Sequence, residues 1–216
     1  MTGIAIYVEG GGDHTDQKAQ LRTGFDVLLK AQKDAARARR LHWKLVPCGG
    51  RNAAYDAFVA AIRIEPPAIN VLLVDSEEGL AVENGEAKRD AKARVNHLTN
   101  RDGCDLNMAS AERIHLMVQC MEAWIVADPD ALAEFYGQYF ARNALPGRQN
   151  LEEEPKQDVY SKLEQATGDR RLTKGRYGKI KHAAQLLQCI DPAKVVKRCP
   201  RFATFTKWLD HAIASA

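Results

Sequence analysis

Two apolar runs in this sequence stop at carboxylates. "IYVEGGGDH" (residues 6–14) follows the run Ile4 to Val8 with Glu9, and "VLLVDSEE" (residues 71–78) ends on Asp75, with Glu77 and Glu78 just beyond. In an open parallel sheet the ligand crevice lies outside the carboxyl ends of the strands, so two central strands of this kind bring Glu9, Asp75 and Glu77 to one edge. Clustered carboxylates repel one another, and burial deepens the cost. A divalent cation removes that cost, and carboxylate oxygens completed by water are the ligand set that Mg²⁺ or Mn²⁺ prefers. Gly10, Gly11 and Gly12 then read as a sharp turn that lets backbone come close to a ligand. They do not form a Walker A loop, because Asp13 and His14 stand where Lys and Ser or Thr are required, and they do not match G-x-G-x-x-G. Phosphate would be approached through a metal held by acids rather than through a lysine. The plainer reading of an acid at a strand end is a solvated loop residue or a helix cap, and Asp13 fits a cap of the first helix equally well.

Other residues extend the pattern. Glu122 follows a fourth apolar run and is either a further metal ligand or an acid favoured by a helix N-terminus. Arg51, after Gly49 and Gly50, is placed to clamp phosphate bidentately or else is a surface arginine. Arg22 reads as structural, Asp128 before Pro129 as a turn or cap residue, and Trp124 as core. Residues 174–201 are rich in Lys and Arg, with Asp191 the one acid among them. There Lys174, Arg176, Lys179 and Lys181 surround Tyr177: lysine and arginine neutralise phosphates and tyrosine stacks on bases, while the alternative is a solvated helix face.

The elements that must position these residues alternate. Ile4 to Val8 reads as a buried strand, about 16–39 as a helix, "LHWKLVPCGG" as a strand, and "AAYDAFVAAIRI" as a helix stopped by Pro66 and Pro67. "AINVLLVDSEE" is a strand, "GEAKRDAKARVNHLTN" a polar helix or arm, "RIHLMVQCM" a fourth strand, and "EAWIVADPDALAEFY" a helix. Such alternation predicts an α/β fold with a parallel sheet covered by helices. Composition changes after about residue 142, giving an expected α/β domain over 1–142, a polar linker over 143–156 and a helical C-terminal subdomain over 157–216. With 216 residues, 45% apolar and 27% charged, the chain can bury a core, and a net charge of +3 is too small to imply nucleic acid by itself. No segment approaches the roughly 20 apolar residues of a membrane span. No signal-peptide pattern opens the chain, and five scattered cysteines without a Cys-x-x-Cys pair fit reduced thiols, so a cytoplasmic location is expected.

"YVEGGGD" followed by "LLVDSEE" resembles the Toprim signature, a Glu after the first strand and Asp-x-Asp after the third, found in topoisomerases, primases and overcoming-lysogenization-defect (OLD) nucleases. Glu77 departs from the pattern, since the second acid there is Asp. More of the chain is similar to a prokaryotic Toprim-like family known as domain of unknown function 4276, through "VEGGGD", "LRTGF", "PCGGRNAAYDAF", "VDSEE", "MVQCMEAWIVAD" and "GRYGKIKHAAQLL". The resemblance implies a Rossmann-like sheet, Glu9 as general acid/base or metal ligand, and Asp75 and Glu77 as Mg²⁺ ligands, with one or two metals at the scissile phosphate. It also implies a nuclease that works beside an ABC- or AAA-type ATPase in a bacterial anti-phage module, with DNA or RNA as substrate. Two rivals remain: a catalytically silent docking or regulatory subunit, for which Glu77 leaves room, and a sensor that binds a nucleotide or RNA end through metal without cutting it.

Overall fold

The computed structural model describes residues 3–64, 68–80 and 87–216. Strand β1 (Gly3–Val8) leads to helices α1 (Thr15–Leu28) and α2 (Lys30–Ala38), then to β2 (His42–Pro47) and α3 (Arg51–Ile62). Strand β3 (Ile69–Asp75), helix α4 (Ala87–Asp102) and strand β4 (Ile114–Met117) complete the sheet. The remaining helices are α5 (Glu122–Ile125), α6 (Pro129–Tyr136), α7 (Lys156–Ala166), α8 (Lys179–Leu187), α9 (Pro192–Arg198) and α10 (Pro200–Ser215). The four strands are all parallel, in the order β2-β1-β3-β4. The α/β sheet flanked by helices follows from the apolar runs: a strand covered on both faces needs no polar alternation. The two acid-terminated strands, β1 and β3, are the central pair, with Val8 beside Leu73.

Side chains of a strand point alternately to the two faces, and the two cores keep that parity. Ile4, Ile6, Val8, Val71, Leu73 and Met117 belong to one core, shared with α1, α5 and the C-terminal helices. Leu72, Val74, Ile114 and Leu116 belong to the other, with Tyr55 and Phe58 of α3 and Leu98 of α4. Asp75 has the parity of Val71 and Leu73, which directs it toward the C-terminal helices. On the same side His115 of β4 packs against Phe205 and Trp208 of α10. Within the polar stretch 143–156, Leu145 and Leu151 are buried in this first core, and Glu152 and Glu154 are buried beside it.

Two expected helices are broken. The helix expected over 16–39 bends at Leu29, whose backbone (φ −101°, ψ 27°) leaves helical geometry and lets both Leu28 and Leu29 bury. The helix expected from Glu122 to Tyr136 divides before Pro129, which has no N–H to continue the ladder. Asp128 caps the new helix by accepting from the amides of Asp130 and Ala131, as its position before proline suggests. The polar segment after β3 is helical from Ala87 and packs on β4, where the Arg94 guanidinium donates to the Ile114 carbonyl at 2.6 Å. Helix α3 ends at Ile62; Pro66 and Pro67, expected to stop it, lie outside the described residues, as do Gly85 and Glu86.

Candidate functional site

The chain turns sharply at the carboxyl end of each central strand. After β1, Gly10, Gly11 and Gly12 all have positive φ (122°, 90° and 59°), a region open to glycine at no steric cost. Gly10 and Gly49 exchange backbone hydrogen bonds of 2.7 and 2.9 Å, tying the turn after β1 to the turn after β2. After β3, Glu77 has φ 71° and donates its amide to the Gln119 carbonyl; Gln119 itself has φ 65°. Left-handed backbone at two non-glycine residues costs of order 1–3 kcal/mol each and concentrates at functional sites.

These turns bring the carboxylates of Glu9, Asp75 and Glu77 together, with one oxygen from each inside a span of 4.8 Å. Asp75 is buried. Its Oδ1 accepts from the Met121 amide at 2.9 Å and its Oδ2 from Lys179 Nζ at 3.4 Å. Burial pushes the Asp75 carboxyl up to about 7; Lys179 pulls against this, and Glu122 and Glu9 add to it. Glu9 Oε2 accepts from the Asp75 amide (3.2 Å) and from Arg51 Nε (3.0 Å). No described residue donates to Glu9 Oε1.

Arg51 opens α3 directly after Gly50 and spans the cluster. Besides Glu9, its Nη2 donates to the Asp75 carbonyl (2.7 Å) and to Glu77 Oε1 (3.1 Å), and its Nη1 faces Asp102 at 3.3 Å. Asp102 also accepts from the Tyr55 hydroxyl (3.0 Å) and pairs with Arg101. Lys156, at the start of α7, donates to Glu77 Oε2 at 2.6 Å. Burial works against the Arg51 charge, yet Glu9, Asp102 and Glu77 outweigh it and raise its pKa.

Glu122 is fully buried beside this cluster, outside the carboxylate trio. Tyr177 donates its hydroxyl to Glu122 Oε1 at 2.8 Å. Oε2 has no hydrogen-bond partner of good geometry; Lys179 Nζ stands 3.8 Å from it, and the Tyr160 hydroxyl interacts with the same carboxylate. Burial pulls the Lys179 pKa down, but Asp75 and Glu122 more than offset that and leave it raised. Among the described residues, four carboxylates (Glu9, Asp75, Glu77, Glu122) therefore share three cations (Arg51, Lys156, Lys179). That shortfall, the orphaned Glu122 oxygen and an all-oxygen donor set fit a hard divalent cation.

The family model for a domain of unknown function (DUF4276) matches residues 8–210. This chain belongs to that family. No curated protein and no solved structure matches it. The matched span of this family member contains the whole cluster, from Glu9 through Lys179.

The basic run does not act as one surface. Lys179 enters the acid cluster. Tyr177 turns inward: the residue is 7% exposed and its hydroxyl donates to Glu122, so the expected stacking on a base is not open to it. Arg176 pairs with Glu164, Lys174 lies over the Phe135 ring, and Lys181 donates to the Lys174 carbonyl. These last three line the rim of the C-terminal helices rather than the trio. Trp124 is core, and Arg22 is structural, its Nε donating to the Leu45 carbonyl. Helix α1 begins after His14 with no side-chain cap, so Asp13 does not cap it. All five cysteines are free. Asp102, Lys156 and Tyr160 join the site without a sequence signal that points there: none follows an apolar run, and the Asp102–Gly103 pair marks only the end of α4.

Proposed function

We propose that this protein is a Mg²⁺- or Mn²⁺-dependent phosphodiesterase, acting as a nuclease on DNA or RNA. The observation that carries the reading is the convergence of Glu9, Asp75 and Glu77 within 4.8 Å at the carboxyl edge of the two central strands. Glu9 after the first strand and Asp75-x-Glu77 after the third fit a Toprim-like domain related to OLD nucleases, with Glu77 in the place of the usual Asp. The trio would hold the cation, with Glu122 close enough to adjust it. When bound, such a cation supplies Lewis acidity toward a phosphoryl oxygen and toward water. The chain's own groups supply the rest. Glu9 keeps one oxygen free of donors among the described residues and would be the acceptor for a proton leaving water. Arg51, once the carboxylates have another counter-ion, presents a planar fork suited to a phosphate. Lys179 places a third cation at the same edge. Action beside an ABC- or AAA-type ATPase in anti-phage defence is the biological setting we favour, on the resemblance of the sequence motifs.

One observation favours a second reading. Arg51 and Lys156 ion-pair with Glu9 and Glu77, an arrangement that would also suit a docking or regulatory subunit that keeps the fold and not the chemistry. Calorimetric titration of Mn²⁺ and Mg²⁺ into the protein, Glu9→Gln and Asp75→Asn separates the two. Saturable binding lost in both variants, with metal-dependent cleavage of single-stranded or duplex DNA or RNA lost in parallel, supports the nuclease. Absence of saturable binding, or binding unchanged in both variants, overturns it in favour of docking. Binding of metal and nucleic acid without cleavage selects the sensor.

A further inference from the structure

Beside the acid cluster lies a pocket of about 290 Å³ that the chemistry above does not use. Glu9 and Lys179 belong to both. One wall is the glycine turn Gly10–Gly12; the opposing walls are α1 and α8, and Met121, whose amide holds Asp75, is part of the floor. The pocket exists because two glycines let backbones approach. At Gly24 in α1 an added Cβ would lie 2.7 Å from the Ala184 carbonyl of α8, and at Gly49 one would lie 2.9 Å from the Gly12 carbonyl. Its lining is mixed. Leu21, Met121, Ile180, Ala183 and Ala184 are its apolar members, and Glu9, Asp13 and Lys179 its charged ones, with Glu9 and Lys179 shared with the carboxylate cluster. No described acceptor engages the amides of Gly11 and Gly12, and Gln17 on the wall carries both a donor and an acceptor.

A ligand matched to this lining has an apolar body, a polar edge for Gln17 and the glycine amides, and an anionic group at the cluster end, where Lys179 and a cation held by the carboxylates would meet it. Ligand pockets begin at roughly 300 Å³, so the space suits one nucleoside and not a base pair. We propose that the pocket holds the nucleoside next to the phosphate being cleaved, so that the substrate is a single strand or an unpaired strand end rather than continuous duplex. A paired base reaches such an enclosure only by leaving its stack, at a cost of about a few kcal/mol. This inference rests on the phosphodiesterase reading for its phosphate position, but its test can fail separately.

The test is calorimetric titration of adenosine monophosphate into the full chain with saturating Mn²⁺, for the native protein and for Gln17→Trp, which places an indole in the pocket from a half-buried position on α1. Mn²⁺ alone is titrated into both. Saturable nucleotide binding, weakened about tenfold or more in Gln17→Trp while Mn²⁺ affinity stays the same, supports the pocket. Ala183→Leu, a smaller filling change from α8, should weaken the nucleotide in the same direction. Unchanged nucleotide affinity in both variants, or no nucleotide binding by a protein that binds Mn²⁺, overturns it and leaves the metal reading standing. A protein that binds no Mn²⁺ overturns the metal reading; nucleotide binding that persists there and falls in Gln17→Trp supports the pocket alone. Cleavage of a blunt duplex as fast as of the matching single strand overturns the inference about substrate.

Discussion

Replacing Arg51 by Gln tests the cluster through stability rather than activity. The guanidinium is the shared counter-ion of Glu9, Glu77 and Asp102, at 3.0, 3.1 and 3.3 Å, and its side chain is 12% exposed. Lys156 remains on Glu77, and Arg101 on Asp102, but Glu9 loses its only ion pair among the described residues. Removing one partner of a buried ion pair costs about 3–5 kcal/mol because the other charge is left uncompensated. Glu9 and Glu77 are 20% and 27% exposed, so water recovers part of that, and we expect about 3 kcal/mol, the lower end of the range. For a chain of this length that corresponds to a fall of about 6–12 °C in Tm. A divalent cation held by the same carboxylates replaces the missing charge, and at a hundredfold excess over Kd its binding returns about 2.7 kcal/mol. It should stabilise Arg51→Gln more than the native protein, because in the native protein it competes with Arg51 for Glu9 and Glu77. The assay is urea unfolding of both proteins, with chelator and with Mn²⁺. A loss below about 0.5 kcal/mol in chelator, the size of an ordinary surface substitution, would refute the counter-ion role. Equal Mn²⁺ stabilisation of the two proteins would refute the competition.

Two further outcomes are expected. Tyr177→Phe removes the donor to Glu122 Oε1 and leaves a buried carboxylate short of a partner, which costs about 1–3 kcal/mol in urea unfolding; an unchanged midpoint would show that water reaches Glu122. Burial pushes the Glu152 carboxyl up to about 7, against the amides of Arg201 and Phe202 that pull it down. Its folded pKa is therefore above its unfolded value, so the native state favours the protonated form. The stability this supplies is complete below about pH 4.3, and it is lost as pH rises through about 7. Glu152→Gln should therefore gain stability relative to the native protein between pH 5 and pH 8, within about that range of titration, and parallel pH profiles would contradict the assignment.

The carboxylate trio was legible in the sequence because parallel strands buried on both faces appear as unbroken apolar runs, and the first acid after such a run lies at the sheet's carboxyl edge. Parallel pairing and the Gly10–Gly12 turn follow from the same local signals, whereas the strand order β2-β1-β3-β4, which makes β1 and β3 neighbours, is a property of the folded sheet. What the composition of 143–156 does not show is that Leu145 and Leu151 are core residues, since isolated leucines in a polar stretch carry no period. Nor can spacing along the chain show a partner brought in by packing. Lys179 reaches Asp75 across 104 residues because Gly24 and Ala184 let α8 lie against α1. The same docking turns Tyr177 inward to Glu122, leaving the basic run split between site and rim. Arg51 was visible as an arginine on a glycine turn; that its guanidinium spans Glu9, Glu77 and Asp102 depends on where α3 and α4 pack. Local sequence thus determined which acids stand at the carboxyl edge of the sheet, through strand ends and turns, and the β1–β3 adjacency brought them together. Tertiary packing decided which cations meet them, because long side chains on helices find their partners only once the helices are placed.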